Sequence, residues 1–397
     1  MPSDGFTSAE GMVGWSDGSV CAVINSPSSH TSRIVWLDPS GTETASWESL
    51  APLYLRTIKQ ADPVGKDVFA VGASGGAGGD EDRVAVVRVA PSGLVWSSEL
   101  SGPGYDYGYA VSPNIGGDLL AVGGFTQGGI AGAPAGRLDC FLAVYSAADG
   151  TQVLATQFGS AEDDRLFNAA PHPDGGWVLS GDTLGSLYPL ATPEDLGGQR
   201  DIFVARAMAD GSIHSGAVLG SVDDDLAFDS ATDGAGRFYL TGQTRGAFDP
   251  SGGAPPAIAI FLLALDSNLQ LAWRRQTSRP EGGFAESLAI NDSGEPVLLF
   301  ANQGQYPGFT QSDLASRTSE DAVLARYSAE GLLLQLVQLD TTTERIYPRA
   351  VVVAGERFTI LRDRAAVPGE PFLVSDVLRF VWSRCDPALK RDGWTTH

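Results

Sequence analysis

Residues 159–181 read GSAEDDRLFNAAPHPDGGWVLSG, and residues 220–242 read GSVDDDLAFDSATDGAGRFYLTG. Both run glycine, serine, an acidic cluster, an apolar run, a tight turn, a second apolar run and a closing glycine. Near-identical statements about 61 residues apart point to a structural repeat, and a repeat of this length points to stacked or ring-arranged units rather than to separate domains.

A second marker extends the pattern along the chain. It is a short apolar run followed by a tight turn: RIVWLDPSG, VAVVRVAPSG, FLAVYSAADG, IFVARAMADG, IFLLALDSN, AVLARYSAEG and VLRFVWSRCD. The turn positions fall at Gly41, Gly93, Gly150, Gly211, Asn268, Gly331 and Asp386, with a mean spacing of about 58 residues. Upstream of each lies another run, such as GKDVFAVGA, GGDLLAVGG or AGRFYLTGQ. The runs are short, rich in β-branched and aromatic residues and bounded by Gly, Asp and Asn, which predicts strands. The DG, GG and SG turns predict antiparallel hairpins. No stretch of ten or more residues has helical period.

Each unit therefore has four strands, a to d from the inside outward. A lone four-stranded unit cannot bury both its faces, but units packed in a ring can. The expectation is an all-β chain, a seven-bladed β-propeller of four-stranded antiparallel blades, forming a single domain over residues 1–397. The expected blades are 11–50, 51–104, 105–163, 164–224, 225–282, 283–344 and 345–397. Two closures are open: DGWTTH as the last outer strand within the final blade, or a blade sewn from both termini.

The repeated string, together with the DIFVARAMADG-type strand before it, resembles the bacterial seven-bladed β-propeller repeat of SBBP type. The likeness is best over residues 139–245 and recognisable from about 66 to 335. The resemblance implies a binding or scaffold role in an extracellular or cell-envelope setting and supplies no catalytic motif. The start, MPSDGFTSAEG, has no basic or apolar leader region, so a native start at Met1 would instead imply the cytoplasm.

Charge narrows the partners. The formal net charge is −22, from 48 acids and 26 bases, which repels nucleic acid and anionic lipid. No run of 18 apolar residues is present, so membrane insertion is not expected. Cys21, Cys140 and Cys385 are too few and too widely spaced for a disulfide framework or a zinc site; only Cys21 with Cys385 would be brought close by ring closure. The four histidines fall in different units.

Alternating strands put the short a–b and c–d turns on one face and the b–c and d–a loops on the other. The b–c loops are long and unlike one another, which marks their face for recognition of a protein or glycan. Its aromatic residues, Phe125, Tyr188, Phe248, Tyr306, Phe309 and Phe372, are the candidate ligand face; rings in long loops also serve as anchors. The acids of the opening stretch belong to the same face. Asp106, Asp164 and Asp225, with Glu281 and Glu344 nearby, would ring the channel mouth as a calcium site, or each would cap its own turn. No cofactor other than calcium is suggested. The sequence reads as a non-catalytic binding or scaffold module; the alternative is a propeller-type lyase or hydrolase with a carboxylate and arginine site at the channel mouth.

Overall fold

A computed structural model describes residues 8–26, 29–62, 64–75, 82–187, 200–249, 258–277, 283–303, 320–339, 345–355, 357–365, 373–381 and 390–391. The strands follow one another as a simple meander. The first blade holds β1 (Ser8–Gly14), β2 (Val20–Ser26), β3 (Thr31–Leu37) and β4 (Glu43–Glu48), and the second β5 (Leu53–Gln60), β6 (Val68–Ser74), β7 (Arg83–Ala90) and β8 (Gly93–Leu100). The third holds β9 (Asp106–Pro113), β10 (Leu119–Thr126), β11 (Asp139–Ser146) and β12 (Gln152–Phe158), and the fourth β13 (Asp164–Pro171), β14 (Trp177–Thr183), β15 (Asp201–Ala207) and β16 (Ile213–Leu219). The fifth holds β17 (Asp225–Thr232), β18 (Phe238–Thr244), β19 (Ala259–Leu265) and β20 (Leu271–Gln276), and the sixth β21 (Gly283–Ile290), β22 (Pro296–Gln303), β23 (Glu320–Tyr327) and β24 (Leu333–Leu339). The last holds β25 (Arg345–Ala354), β26 (Arg357–Ala365), β27 (Leu373–Val381) and β28 (Lys390–Arg391). Every sheet pairs consecutive strands, all antiparallel.

The expectation of seven alike four-stranded blades needs correction. Six blades are complete, with strands of six to eight residues, whereas in the last sheet the outer strand is a two-residue pairing of Lys390 and Arg391 with Val381 and Phe380. The cause is legible in the sequence. The segment CDPALKRDG carries no β-branched residue and is flanked by Asp-Pro and Asp-Gly, so it has little tendency to extend a sheet edge. The DGWTTH segment lies outside the described residues.

Inner strands touch their neighbours in the order β1, β5, β9, β13, β17, β21, β25 and back to β1, which closes the ring. No described sheet combines strands from both ends of the chain. The seam between first and last blades is held instead by polar bonds. The Ala9 amide donates to the Asp363 carboxylate at 3.1 Å, and Arg379 Nη2 donates to the Asp38 carbonyl at 2.7 Å.

Blades stack face to face, so the second and third strands are covered on both sides. Every residue of β14, β18 and β19 is buried. This explains why β19, AIFLLAL, reads as an unbroken apolar run and why β14 and β18 open on WVL and FYL rather than alternating. Four strand tryptophans staple neighbouring blades together. The indole N–H of Trp36 donates to Lys66, that of Trp96 to Ala147, that of Trp177 to Ser112 and that of Trp273 to Ala329, in each case a backbone carbonyl of an adjoining blade. Cys21 and Cys140 are buried free thiols, so Cys21 forms no disulfide; Cys385 lies outside the described residues.

The turn glycines have a packing role as well as a conformational one. Gly150 has φ 72°, and a Cβ there would lie 2.6 Å from the ring of Trp96, which leans over from the preceding blade. In the fifth blade this left-handed position is held by Leu269, φ 60°, one residue beyond the marker Asn268. Gly150→Ala is expected to lose about 2 kcal/mol, from left-handed strain plus displacement of the indole. Thermal unfolding would show it, and a wild-type midpoint would contradict it.

Candidate functional site

The acids of the opening stretch have a local task. Asp164 opens β13, is fully buried, and accepts the Ser160 amide at 2.5 Å and the Thr183 hydroxyl. Thr183 ends β14, pairs directly with Asp164, and accepts the Gly185 amide at 2.9 Å. Asp106 repeats this with the Gly102 amide and the Thr126 hydroxyl, both at 2.6 Å. Asp225 accepts the Ser221 amide at 2.5 Å and pairs with Thr244. Each clamp ties the outer-to-inner crossover to its own sheet, the usual service of Asp at a turn. The structure does not bring Asp106, Asp164 and Asp225 to one point, and among the described residues no three potential metal ligands converge. Glu281 and Glu344 lie outside the described residues.

Burial lifts the Asp106 and Asp164 carboxyls above their ordinary range against the pull of these hydrogen bonds. The effect is larger in the fourth and fifth blades. Asp201 is pushed up to about 7 by burial and then by the facing Asp225 and Asp224, and Asp225 to about 6, chiefly by burial. Asp139, the counterpart of Asp201 one blade earlier, accepts the Ala135 and Gly136 amides and the Gln157 side chain. Asp201 Oδ1 and Asp225 Oδ1 are buried with no donor.

The inner strands share one irregularity that lines the channel. Each carries one extra residue relative to its partner. On β13, Leu166 pairs with Gly181 and Asn168 with Ser180, leaving Phe167 over. The same slip leaves over Glu10, Arg56, Tyr109, Phe228, Glu286 and Arg349 on β1, β5, β9, β17, β21 and β25. A bulge of this kind turns its extra side chain out of the sheet. All seven bulged residues line the central channel, a cavity of about 730 Å³.

At four of the seven bulges the facing residue is a glycine, the one that closes the quoted motif among them, and there the two backbones come very close. A Cβ on Gly181 would overlap the carbonyl oxygen of Arg165, and Gly72, Gly124 and Gly242 meet the carbonyls of Tyr54, Tyr107 and Leu226 in the same way. Only glycine admits so close a backbone approach, and Ile24, Phe300 and Arg362 stand at the corresponding place facing the other three bulges.

Around the channel the seven residues divide by chemistry. Tyr109, Phe167 and Phe228 form an aromatic arc; Glu286, Arg349, Glu10 and Arg56 form a charged one. The Tyr109 ring lies 5.3 Å from both Phe125 and Phe167, stacked on the former and edge-on to the latter. Phe228 is 40% exposed, open to an incoming ligand. Arg56 lies over Tyr54 and Tyr109, its guanidinium carbon 5.1 and 4.8 Å from the ring centroids, and makes no ion pair among the described residues. Its Nε is buried without an acceptor. On the other arc, Glu10 accepts the Tyr54 hydroxyl at 2.7 Å, and Arg349 Nε donates to Asp363 at 3.0 Å. Burial works against the Arg349 charge, but Asp363, Glu286 and Glu10 together hold its guanidinium above its ordinary value.

Comparison with solved structures gives the fold and stops there. The chain superposes on the β-propeller domain of the Trilobed protease from Pyrococcus furiosus, described as having an open velcro topology. The match covers 98% of this chain and 95% of that one, at 12% identity and TM-score 0.51. It superposes on an acylaminoacyl peptidase from Pyrococcus horikoshii over 97% of this chain and 52% of that one, at 13% identity and TM-score 0.51, so it spans about half that peptidase. It superposes on the polysaccharide lyase Uly1 over 94% of this chain and 89% of that one, at 9% identity and TM-score 0.51. The fold is a β-propeller. No protein-family model matches the chain, and no curated protein matches its sequence.

Of the aromatic residues expected to face a ligand, Phe125 joins the channel cluster. Phe248 is buried, stacked on Phe261 with centroids 4.2 Å apart, and anchors its loop. Tyr188, Tyr306, Phe309 and Phe372 lie outside the described residues. A smaller cavity of about 230 Å³ on the long-loop face is lined by Arg165, Arg200, Arg245 and Asp224. There Arg165 and Arg200 converge on the buried Asp182 at 2.8 and 2.6 Å.

Proposed function

We propose that the chain is a non-catalytic binding module that takes the end of a glycan into the mouth of its channel, on the long-loop face. The divided bulge ring carries this reading. Sugar rings present an apolar face and a rim of hydroxyls. The arc of Tyr109, Phe167 and Phe228 offers surfaces for the first, and Glu10, Glu286 and Arg349 offer hydrogen-bond groups for the second. Arg56, which makes no ion pair among the described residues, favours a glycan carrying carboxylates. The SBBP-type repeat and an extracellular or envelope setting belong to the same proposal, and a protein ligand is the competing outcome.

A glycan array followed by calorimetry tests it. Retention of uronate-containing oligosaccharides is expected, with affinity falling at least about 10-fold in Phe228→Ala and in Arg56→Gln. An array with no retained glycan, or variants that bind as wild type, would count against it.

The hydrolase or lyase reading has one observation in its favour: two carboxylates, Glu10 and Glu286, share the charged arc with Arg349. It requires that a bound oligosaccharide be cleaved, and that Glu286→Gln abolish cleavage while keeping binding.

A further inference from the structure

The opposite face of the ring holds a second cavity, which shares Gly14, Val352 and Val353 with the channel wall. At the seam between the first and last blades, on the short-turn face, lies a cavity of about 190 Å³. Its walls include Trp15, Pro39, Val352 and Phe358, and two arginines, Arg357 and Arg379, border it. Arg379 spends one N–H on the Asp38 carbonyl. Its Nε and Nη1 are buried and have no acceptor, an arrangement that costs free energy unless a ligand supplies one. Arg357 is exposed, makes no ion pair among the described residues, and carries like charge. The facing charged groups are therefore two guanidiniums and the Asp38 carboxylate, whose Oδ1 is already taken by the Ser40 amide at 2.7 Å and the Thr42 amide at 3.0 Å. Burial depresses the Arg379 guanidinium; Asp38 opposes that and Arg357 adds to it.

We propose that this seam cavity binds a small organic carboxylate, its oxygens accepting from Arg379 and Arg357 and its apolar body against Trp15, Val352 and Phe358. Unpaired guanidinium donors call for an anion. The apolar walls favour a carboxylate with a hydrocarbon part over a fully hydrated inorganic ion. Because both end blades contribute, the ligand would also bridge the one junction of the ring across which the chain does not run on from one blade to the next, and so raise the thermal midpoint by mass action.

The test is titration of the full chain with benzoate, acetate and inorganic phosphate, read by calorimetry and by tryptophan fluorescence. Saturable millimolar benzoate binding is expected, tighter than acetate, with a rise in thermal midpoint. Affinity should fall at least about 10-fold in Arg379→Gln and measurably in Arg357→Gln. Arg357 is exposed, so that variant keeps the fold and guards against loss of the seam in the other. Absence of saturable benzoate binding to wild type overturns the proposal, as does benzoate binding undiminished in both variants. Phosphate binding with no benzoate binding overturns the carboxylate assignment.

Discussion

Gly181→Ala is expected to destabilise the protein by about 3 kcal/mol or more, at the upper end of what overpacking costs in a well-packed interior. The added methyl group meets the Arg165 carbonyl oxygen, part of the neighbouring strand's backbone, so no side chain can swing aside to relieve it. Relief requires the backbone at the Phe167 bulge to shift away from β14, which disturbs the pairing of the two strands. Gly242→Ala should behave alike, since it meets Leu226. Gly234→Ala is the control. A Cβ there meets nothing within 4 Å, so its effect should stay within about 0.5 kcal/mol. Urea unfolding of the three variants decides the matter; equal midpoints for Gly181→Ala and Gly234→Ala would remove the basis for the bulge argument.

Asp201→Asn is expected to stabilise the protein at pH 8 by about 2 kcal/mol and to flatten its pH dependence. At pH 4 and below, these carboxyls are largely protonated in the folded chain and increasingly so in the unfolded one. Between pH 4 and 7 the unfolded chain releases its protons at ordinary values, while folded Asp225 and Asp201 hold theirs to about 6 and about 7. The folded state binds more protons across that window, so this pair makes stability fall as pH rises, until both are ionised. The figure allows for the partial exposure of Asp201. Denaturant unfolding at pH 5 and pH 8 is the measurement: the loss on going to pH 8 should shrink in Asp201→Asn, and identical slopes in wild type and variant would refute the account. The same pair bears on function. A carboxyl kept protonated near neutrality is a trait of catalytic acids, yet Asp225 is fully buried and already committed to its turn, so a structural cost explains it better.

The four-strand repeat was legible because its punctuation is local. Turn glycines such as Gly150 and Gly211 adopt left-handed backbone conformations that few other residues tolerate, and their spacing survives wherever the strands between them vary. The capping role of Asp164 was legible for a similar reason, since an Asp four residues after a Gly-Ser pair falls at a turn in both repeats. The last blade was not, because an edge strand is defined by what pairs with it as much as by its own residues. The bulge ring was not legible either. An inserted residue leaves the apolar pattern of a doubly buried strand almost unchanged, so LFNAA and AFDSA look like ordinary strands. Two traces were present: an aromatic residue three positions after the acid in Tyr109, Phe167 and Phe228, and the unexplained glycine closing WVLSG and FYLTG. Attention to long loops picked out Phe125, whose ring packs on Tyr109. It also picked out Phe248, whose ring is buried because a loop of that length must be pinned to the sheet below it.

The bulges separate two jobs that most proteins must reconcile at the same residue. Each extra side chain stands outside the strand ladder and makes no demand on the blade-to-blade core, so its identity is free of the rules that govern its neighbours. Carboxylate, guanidinium, phenol and phenyl occupy equivalent places around one channel in a single molecule, seated in ladders of the same geometry. The scaffold thus works like a type tray with seven slots. What the channel spells can be rewritten one letter at a time, without resetting the frame that holds it.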